Sequence, residues 1–175
     1  MNSRIIINSS NYSSFNYLTP YIRYCAEDKY ISPWELPRRK INDYELLFFT
    51  GGKGKFIIED RTCDVKENDL LLFKPQIFHY GWSVKQPFSF LCMHFDIYAS
   101  KSVNTMLENE KFIYESVPSR PVKYYKAELD FPEYTSAKDS TYIQSVFRRI
   151  LNESHKREPG YNMVLKSLFI ELLFS

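Results

Sequence analysis

A chain of 175 residues with 44% hydrophobic and 17% aromatic residues can fill one sizeable core, so a single domain, or one with an appendage, is expected. Its 23 Lys and Arg against 21 Asp and Glu give a net charge of +2, and the clusters Arg38-Arg39-Lys40 and Arg148-Arg149 are too short for the basic stripe of a nucleic-acid surface. Cys25, Cys63 and Cys92 form neither a disulfide framework nor a CxxC zinc pair; without a signal-peptide core or a run near the ~18 apolar residues of a membrane span, a reduced, cytoplasmic protein is expected.

Residues 1–19 read as a polar arm, rich in Asn and Ser from Asn8 to Asn16 and closed by Pro20. A first strand follows at Pro20–Cys25. Pro33 and Pro37 then exclude a helix interior and favour an extended edge segment. Residues 20–97 carry short apolar runs split by turn chemistry, the pattern of a small antiparallel barrel. Glu45 to Thr50 is a strand, Gly51-Gly52-Lys53-Gly54 a turn, and Phe56 to Ile58 pairs back. Glu59-Asp60 turns into Thr62 to Val65. Lys66-Glu67-Asn68-Asp69 turns again, with Asn68 suited to the left-handed conformation. Leu70 to Phe73, Phe78 to Trp82 and Phe88 to Phe95 complete the set.

Residues 98–138 form a connecting extension, with a short helix or loop over Lys101–Pro121 and an extended piece near Val122–Ala127. From Asp139, a suitable N-cap, the period becomes helical. Tyr142, Ile143, Val146, Phe147, Ile150 and Leu151 make one apolar stripe. Pro159 fits the first turn of a second helix. That helix is apolar on two sides, with Tyr161, Val164, Leu165, Leu168 and Leu172 on one face and Met163, Ile170 and Phe174 on another. Two apolar faces call for two partners, so residues 139–175 are expected to be a helical pair for dimerisation or linkage, with Met163, Ile170 and Phe174 at the dimer interface. The helix stops at Phe174-Ser175 without a cap, as though the chain continued into a further domain.

The order of landmarks resembles the cupin domain that begins many AraC-family transcription regulators. They are Trp34, Arg38-Arg39, Asp43-Tyr44-Glu45-Leu46-Leu47, Gly52-x-Gly54, Asn68-Asp69-Leu70-Leu71-Leu72, Pro75 with His79, and His94-Phe95-Asp96. Asn68 departs from the family's usual glycine. The resemblance covers residues 20–97 and, more loosely, the helices at 139–174. It implies a mainly β fold, a cupin-like antiparallel barrel or jelly roll followed by a helical pair. It also implies a small-molecule effector, such as a sugar, and DNA contact only through a helix-turn-helix domain outside these residues; the homodimer is expected from the second apolar face of the last helix.

Enzymatic cupins hold a metal with two His, a Glu and a further His. Here those positions carry Arg39, Ile41, Glu45 and His79, so no metal and no cofactor is expected: two remaining ligands are too few and arginine repels a cation. Arg39 and Glu45 both point into the barrel mouth by strand alternation. Arg39 suits a carboxylate or vicinal hydroxyls, or a structural salt bridge to Glu45. His79 and Tyr80 are the other candidates near the inner wall, or plain core residues; the resemblance favours Phe90 and Cys92 as pocket-facing, and Trp34 is a stacking platform or an edge-packing residue. On the last strand Phe88, Phe90, Cys92 and His94 share one face and Ser89, Leu91, Met93 and Phe95 the other. Catalysis is not expected: no nucleophile motif occurs, any buried Glu–His pair would look like Glu45 and His79, and Asp64 beside Cys63 would raise that thiol's pKa. The alternative is a stand-alone, metal-dependent cupin isomerase or dioxygenase.

Overall fold

Two long, bent strands organise the domain. The computed structural model describes residues 18–97 and 132–175; the polar arm and the Lys101–Pro121 and Val122–Ala127 pieces lie largely or wholly outside them. The strands are β1 (Tyr21–Tyr30), β2 (Glu35–Arg39), β3 (Tyr44–Ile58), β4 (Arg61–Lys66), β5 (Asp69–Phe73), β6 (His79–Asp96) and β7 (Tyr134–Ser136). Every pairing among them is antiparallel.

The first halves of β3 and the second of β6 pair from Tyr44↔Phe95 to Phe49↔Phe90, and their other halves pair from Gly54↔Ser83 to Ile58↔His79. Gly51-Gly52-Lys53-Gly54 is therefore not a hairpin turn, and Phe56–Ile58 does not pair back on Glu45–Thr50. The register slips across Phe49–Gly54, Gly52 takes φ +81, and both strands bend together there, as bulges make them do. Close approach explains the glycines: a Cβ on Gly52 would stand 2.5 Å from the Pro87 carbonyl, and one on Gly54 2.8 Å from the Phe88 ring. Phe78–Trp82 and Phe88–Phe95 are likewise two parts of one strand. The later turns are as expected, with Glu59 at φ 52 and Asn68 at φ 71.

The bend folds the sheet over an inner core of Ile41, Leu47, Phe49, Phe56, Ile58, Val65, Leu71, Phe73, Phe88, Phe90 and Cys92. This is the jelly-roll barrel. β7 was not foreseen; it extends the sheet beyond residue 97 by pairing with β5.

Helices α1 (Ser140–Lys156) and α2 (Tyr161–Leu173) cover the sheet's outer face. Asp139 caps α1, its carboxylate accepting the Tyr142 amide at 3.0 Å. Gly160 caps α2, so Pro159 lies just outside the helix rather than in its first turn. Ile143, Val146, Phe147, Ile150, Leu165, Leu168, Phe169 and Leu172 pack on Leu46, Phe48, Leu91, Met93 and Phe95. Of the predicted interface residues, Met163 and Ile170 are exposed, whereas Phe174 packs partly buried against this outer core. It contributes to the fold rather than to an open face. Among the described residues no helix is long and apolar enough to cross a membrane.

Candidate functional site

Strand alternation lays two kinds of side chain along the barrel's inner wall. Glu45, Leu47 and Phe49 of β3 face inward opposite His94, Cys92 and Phe90 of β6. β2 brings Arg39 opposite His79. The apolar rungs continue into Trp34, whose ring lies 5.4 Å from both Phe88 and Phe90. Its backbone N–H donates to Ser83 Oγ at 2.9 Å, fixing its place.

The polar end is one network. Arg39 Nη2 donates to Glu45 Oε2 at 2.5 Å and Arg39 Nε to His79 Nε2 at 3.1 Å. His79 Nδ1 lies 3.0 Å from the Ile77 carbonyl, so Nδ1 carries the proton and Nε2 accepts. The ring stacks on Phe73 at 4.1 Å. Burial holds its pKa down, to about 4, against the pull of Glu45, and the imidazole is neutral.

Glu45 Oε1 faces the other way, 3.4 Å from His94 Nε2 and 3.5 Å from the Cys92 thiol that donates to it. His94 Nδ1 is 3.2 Å from both Asp43 carboxylate oxygens. Burial favours a neutral imidazole, but hydrogen bonds to Asp43, Cys92 and Glu45 outweigh it and raise the His94 pKa strongly. Burial also opposes the Glu45 charge, yet the His94 hydrogen bond and the Arg39 charge lower its pKa below the usual carboxylate range. Arg23 extends the network, with Nη2 2.5 Å from Asp96 and Nε 3.6 Å from Asp43. Burial, with Arg23 opposing it, pushes Asp96 up to about 6. Arg23, Arg39 and the His94 imidazolium thus face Asp43, Glu45 and Asp96, a balance that makes burial of the group tolerable.

Of the residues singled out in the sequence, Arg39, Glu45, His79 and Cys92 are joined by hydrogen bonds. Phe90 and Trp34 line the same interior further along. Tyr80 does not join them. One residue out of phase with His79, it is half-buried and stacks on the exposed Trp82 at 6.4 Å. His94, Asp43, Arg23 and Asp96 were not singled out as site residues. The signal available for His94 was its inward parity with Cys92; that it meets Glu45 depends on register, which the sequence leaves open.

The four positions that the cupin resemblance aligns with metal ligands do not fit an ion. Ile41 has no donor atom, Arg39 holds Glu45 Oε2, and the His79 Nε2 lone pair accepts from Arg39. A different trio, Glu45, Cys92 and His94, has one donor atom each within 4.8 Å of the others. None of the cysteines is an activated nucleophile. Burial pushes the thiols of Cys25 and Cys92 up to about 12, and Cys63 is raised by burial first, then by Glu133 and Asp64. A small apolar crevice between sheet and helices, lined by Leu46, Phe95 and Leu173, and an open groove by Arg61, Cys63 and Lys74 both lie away from the network.

A search of the curated proteins found no match. Among solved structures, a mutant of Bacillus subtilis oxalate decarboxylase is similar at 18% identity and TM-score 0.38, over 45% of this chain and 22% of that one. The Schizosaccharomyces pombe Cnp3 cupin domain is similar at 9% identity and TM-score 0.39, over 42% and 55%. A mutant of Pseudoaminobacter salicylatoxidans salicylate 1,2-dioxygenase is similar at 14% and 0.38, over 44% and 26%. In each case the chain spans little more than half of the relative, or less. The model of the AraC-like ligand-binding domain family matches residues 24–173, through the barrel and both helices. The chain therefore belongs to the family of AraC-like ligand-binding domains.

Proposed function

We propose that this chain is the effector sensor of an AraC-type transcription regulator. Its barrel takes a sugar or another small polar metabolite. Its helical pair forms a homodimer and reports to a helix-turn-helix DNA-binding domain in the full-length cytoplasmic protein. The observation that carries this reading is the inward-facing Arg39–Glu45–His79 network in a barrel interior that the half-buried Trp34 lines further along. A barrel that only needed to fold would be as stable, or more so, with apolar residues there. A guanidinium with a planar fork and an aromatic ring within one interior are the groups that grip carboxylates, hydroxyls and sugar faces. Burial raises all three thiols, which supports binding over thiol nucleophilic chemistry.

An effector acts only through different affinities for two arrangements of the protein. β6 supplies a direct connection: Cys92 and His94 face the interior, while Leu91, Met93 and Phe95 between and beside them pack on the helices. A ligand that shifts the inner residues therefore acts on the helix-bearing face of the same strand. The test is a thermal-shift screen over sugars, uronates and small acids, followed by titration of any hit against Arg39→Lys and Trp34→Leu. Stabilisation by one class of solute, weakened at least about tenfold in either variant, is the expected result. A ligand that binds both variants as it binds the parent would place the site elsewhere.

A further inference from the structure

We propose that Glu45, Cys92 and His94 form a site for a zinc-like divalent ion, with Asp43 as the carboxylate that orients His94. This site differs from the Arg39, Ile41, Glu45 and His79 positions rejected above, and it stands whichever effector the barrel takes.

Geometry is the first support. In a tetrahedral zinc site, bonds of about 2.0–2.3 Å put neighbouring donor atoms roughly 3.3–3.7 Å apart. Glu45 Oε1 lies 3.4 Å from His94 Nε2 and 3.5 Å from Cys92 Sγ, so two edges of the polyhedron already have the required length. All three side chains come from the directly paired strands β3 and β6, Glu45 opposite His94 and Cys92 one inward position along. Rigid paired strands position ligands more closely than loops do.

The surroundings are the second support. Asp43 holds His94 Nδ1 at 3.2 Å, which fixes the ring and aims Nε2 at Glu45 and Cys92. A carboxylate behind a ligating imidazole is the usual outer partner of a metal site. Arg39 is not an obstacle of the kind it was at the other positions. It occupies Oε2 of Glu45 and leaves Oε1 to the ion, as an outer hydrogen bond to a ligating carboxylate does.

Donor chemistry is the third. Ion uptake releases the protons of the ligating groups to solvent. Thiolate and imidazole donors select zinc over magnesium or calcium. Three protein ligands leave a fourth position for water or an oxygen of a bound molecule.

The test uses reduced protein stripped with a chelator and titrated with Co²⁺. One ion per chain should bind, with thiolate-to-cobalt charge transfer in the near-ultraviolet and intense tetrahedral d–d bands, and Zn²⁺ should displace it. Cys92→Ser should abolish the charge-transfer band, while Cys25→Ser and Cys63→Ser keep it. Asp43→Asn should weaken binding about 10- to 100-fold without removing the sulfur signature. X-ray absorption of the parent protein loaded with Zn²⁺ does not depend on any variant folding, and should show one sulfur in the coordination shell. A shell of oxygen and nitrogen only, a band that survives Cys92→Ser, or a band lost in Cys63→Ser would overturn the site.

Discussion

Arg39 satisfies two neighbours at once, the Glu45 carboxylate at 2.5 Å and the His79 lone pair at 3.1 Å. Both neighbours are buried, so neither can turn to water if the guanidinium is lost. Arg39→Ala should lower stability by about 3 kcal/mol, the usual effect of stranding one member of a buried ion pair. In Arg39→Ala/Glu45→Ala much of that loss should return, with a coupling of about 1–3 kcal/mol between the two sites. Urea denaturation of both singles and the double measures it; additive losses would show that Glu45 leans on His94 instead. Alternation counted from Arg39 to Glu45 gave the right side for both, although a loop separates β2 from β3 and the two lie on different strands; His79 was legible through the cupin resemblance. Strand parity places Tyr80 outside, since neighbours on one strand face opposite ways, and it could not keep company with His79. The link from Glu45 to His94 and Asp43 was not legible, because it depends on which residue of β6 stands opposite β3.

At the scale of elements, the long strands and β7 show what local chemistry cannot decide. Gly51-Gly52-Lys53-Gly54 has the composition of a turn, and Gly52 does take a positive φ. Whether the chain reverses there or only bends depends on the partner strand, and β6 follows β3 around the bend. β7 is three residues, Tyr134–Ser136, in a charged stretch with no apolar period. A side chain 65 residues upstream holds it: Asp69 Oδ2 accepts the Tyr134 hydroxyl at 3.0 Å and Oδ1 the Ser136 hydroxyl at 2.6 Å. The same carboxylate accepts the Lys66 amide at 3.0 Å, closing the β4–β5 turn. Asp69 is buried, so its loss leaves these donors without a ready replacement. Asp69→Ala should cost about 1–3 kcal/mol, and hydrogen exchange should speed up at Tyr134–Ser136 more than at β3 or β6. Uniform exchange across the sheet would show that β7 is held by its backbone pairing alone.

The described residues form two cores divided by one sheet: an aromatic-rich one inside the barrel, and a helix-on-sheet one outside it in which aliphatic residues surround Phe48, Phe95, Phe147 and Phe169. The helices are fastened as well as packed. Arg148 makes two 2.7 Å bonds to Glu27 of β1, and Tyr142 and Arg149 of α1 both reach Glu171 of α2. Against that closed side, α2 leaves Met163 75%, Val164 45% and Ile170 37% exposed. Met163 and Ile170 share one side of the helix, and exposed apolar side chains grouped in this way are expected to form an interface. A stable one needs about 800 Å² from each partner, more than a single helix face supplies, so the exposed side of α1 should take part as well. Sedimentation of the parent chain should show a dimer. Ile170→Glu should weaken it at least about tenfold, as loss of an apolar anchor does, and leave monomer stability unchanged. Phe174 tests the division of labour: packed against the outer core, it should lose folding stability on Phe174→Glu, a change visible in the melting curve of dilute monomer. A monomeric parent at high micromolar concentration, with Ile170→Glu indistinguishable from it, would remove the dimer and leave these side chains to a contact with a different partner.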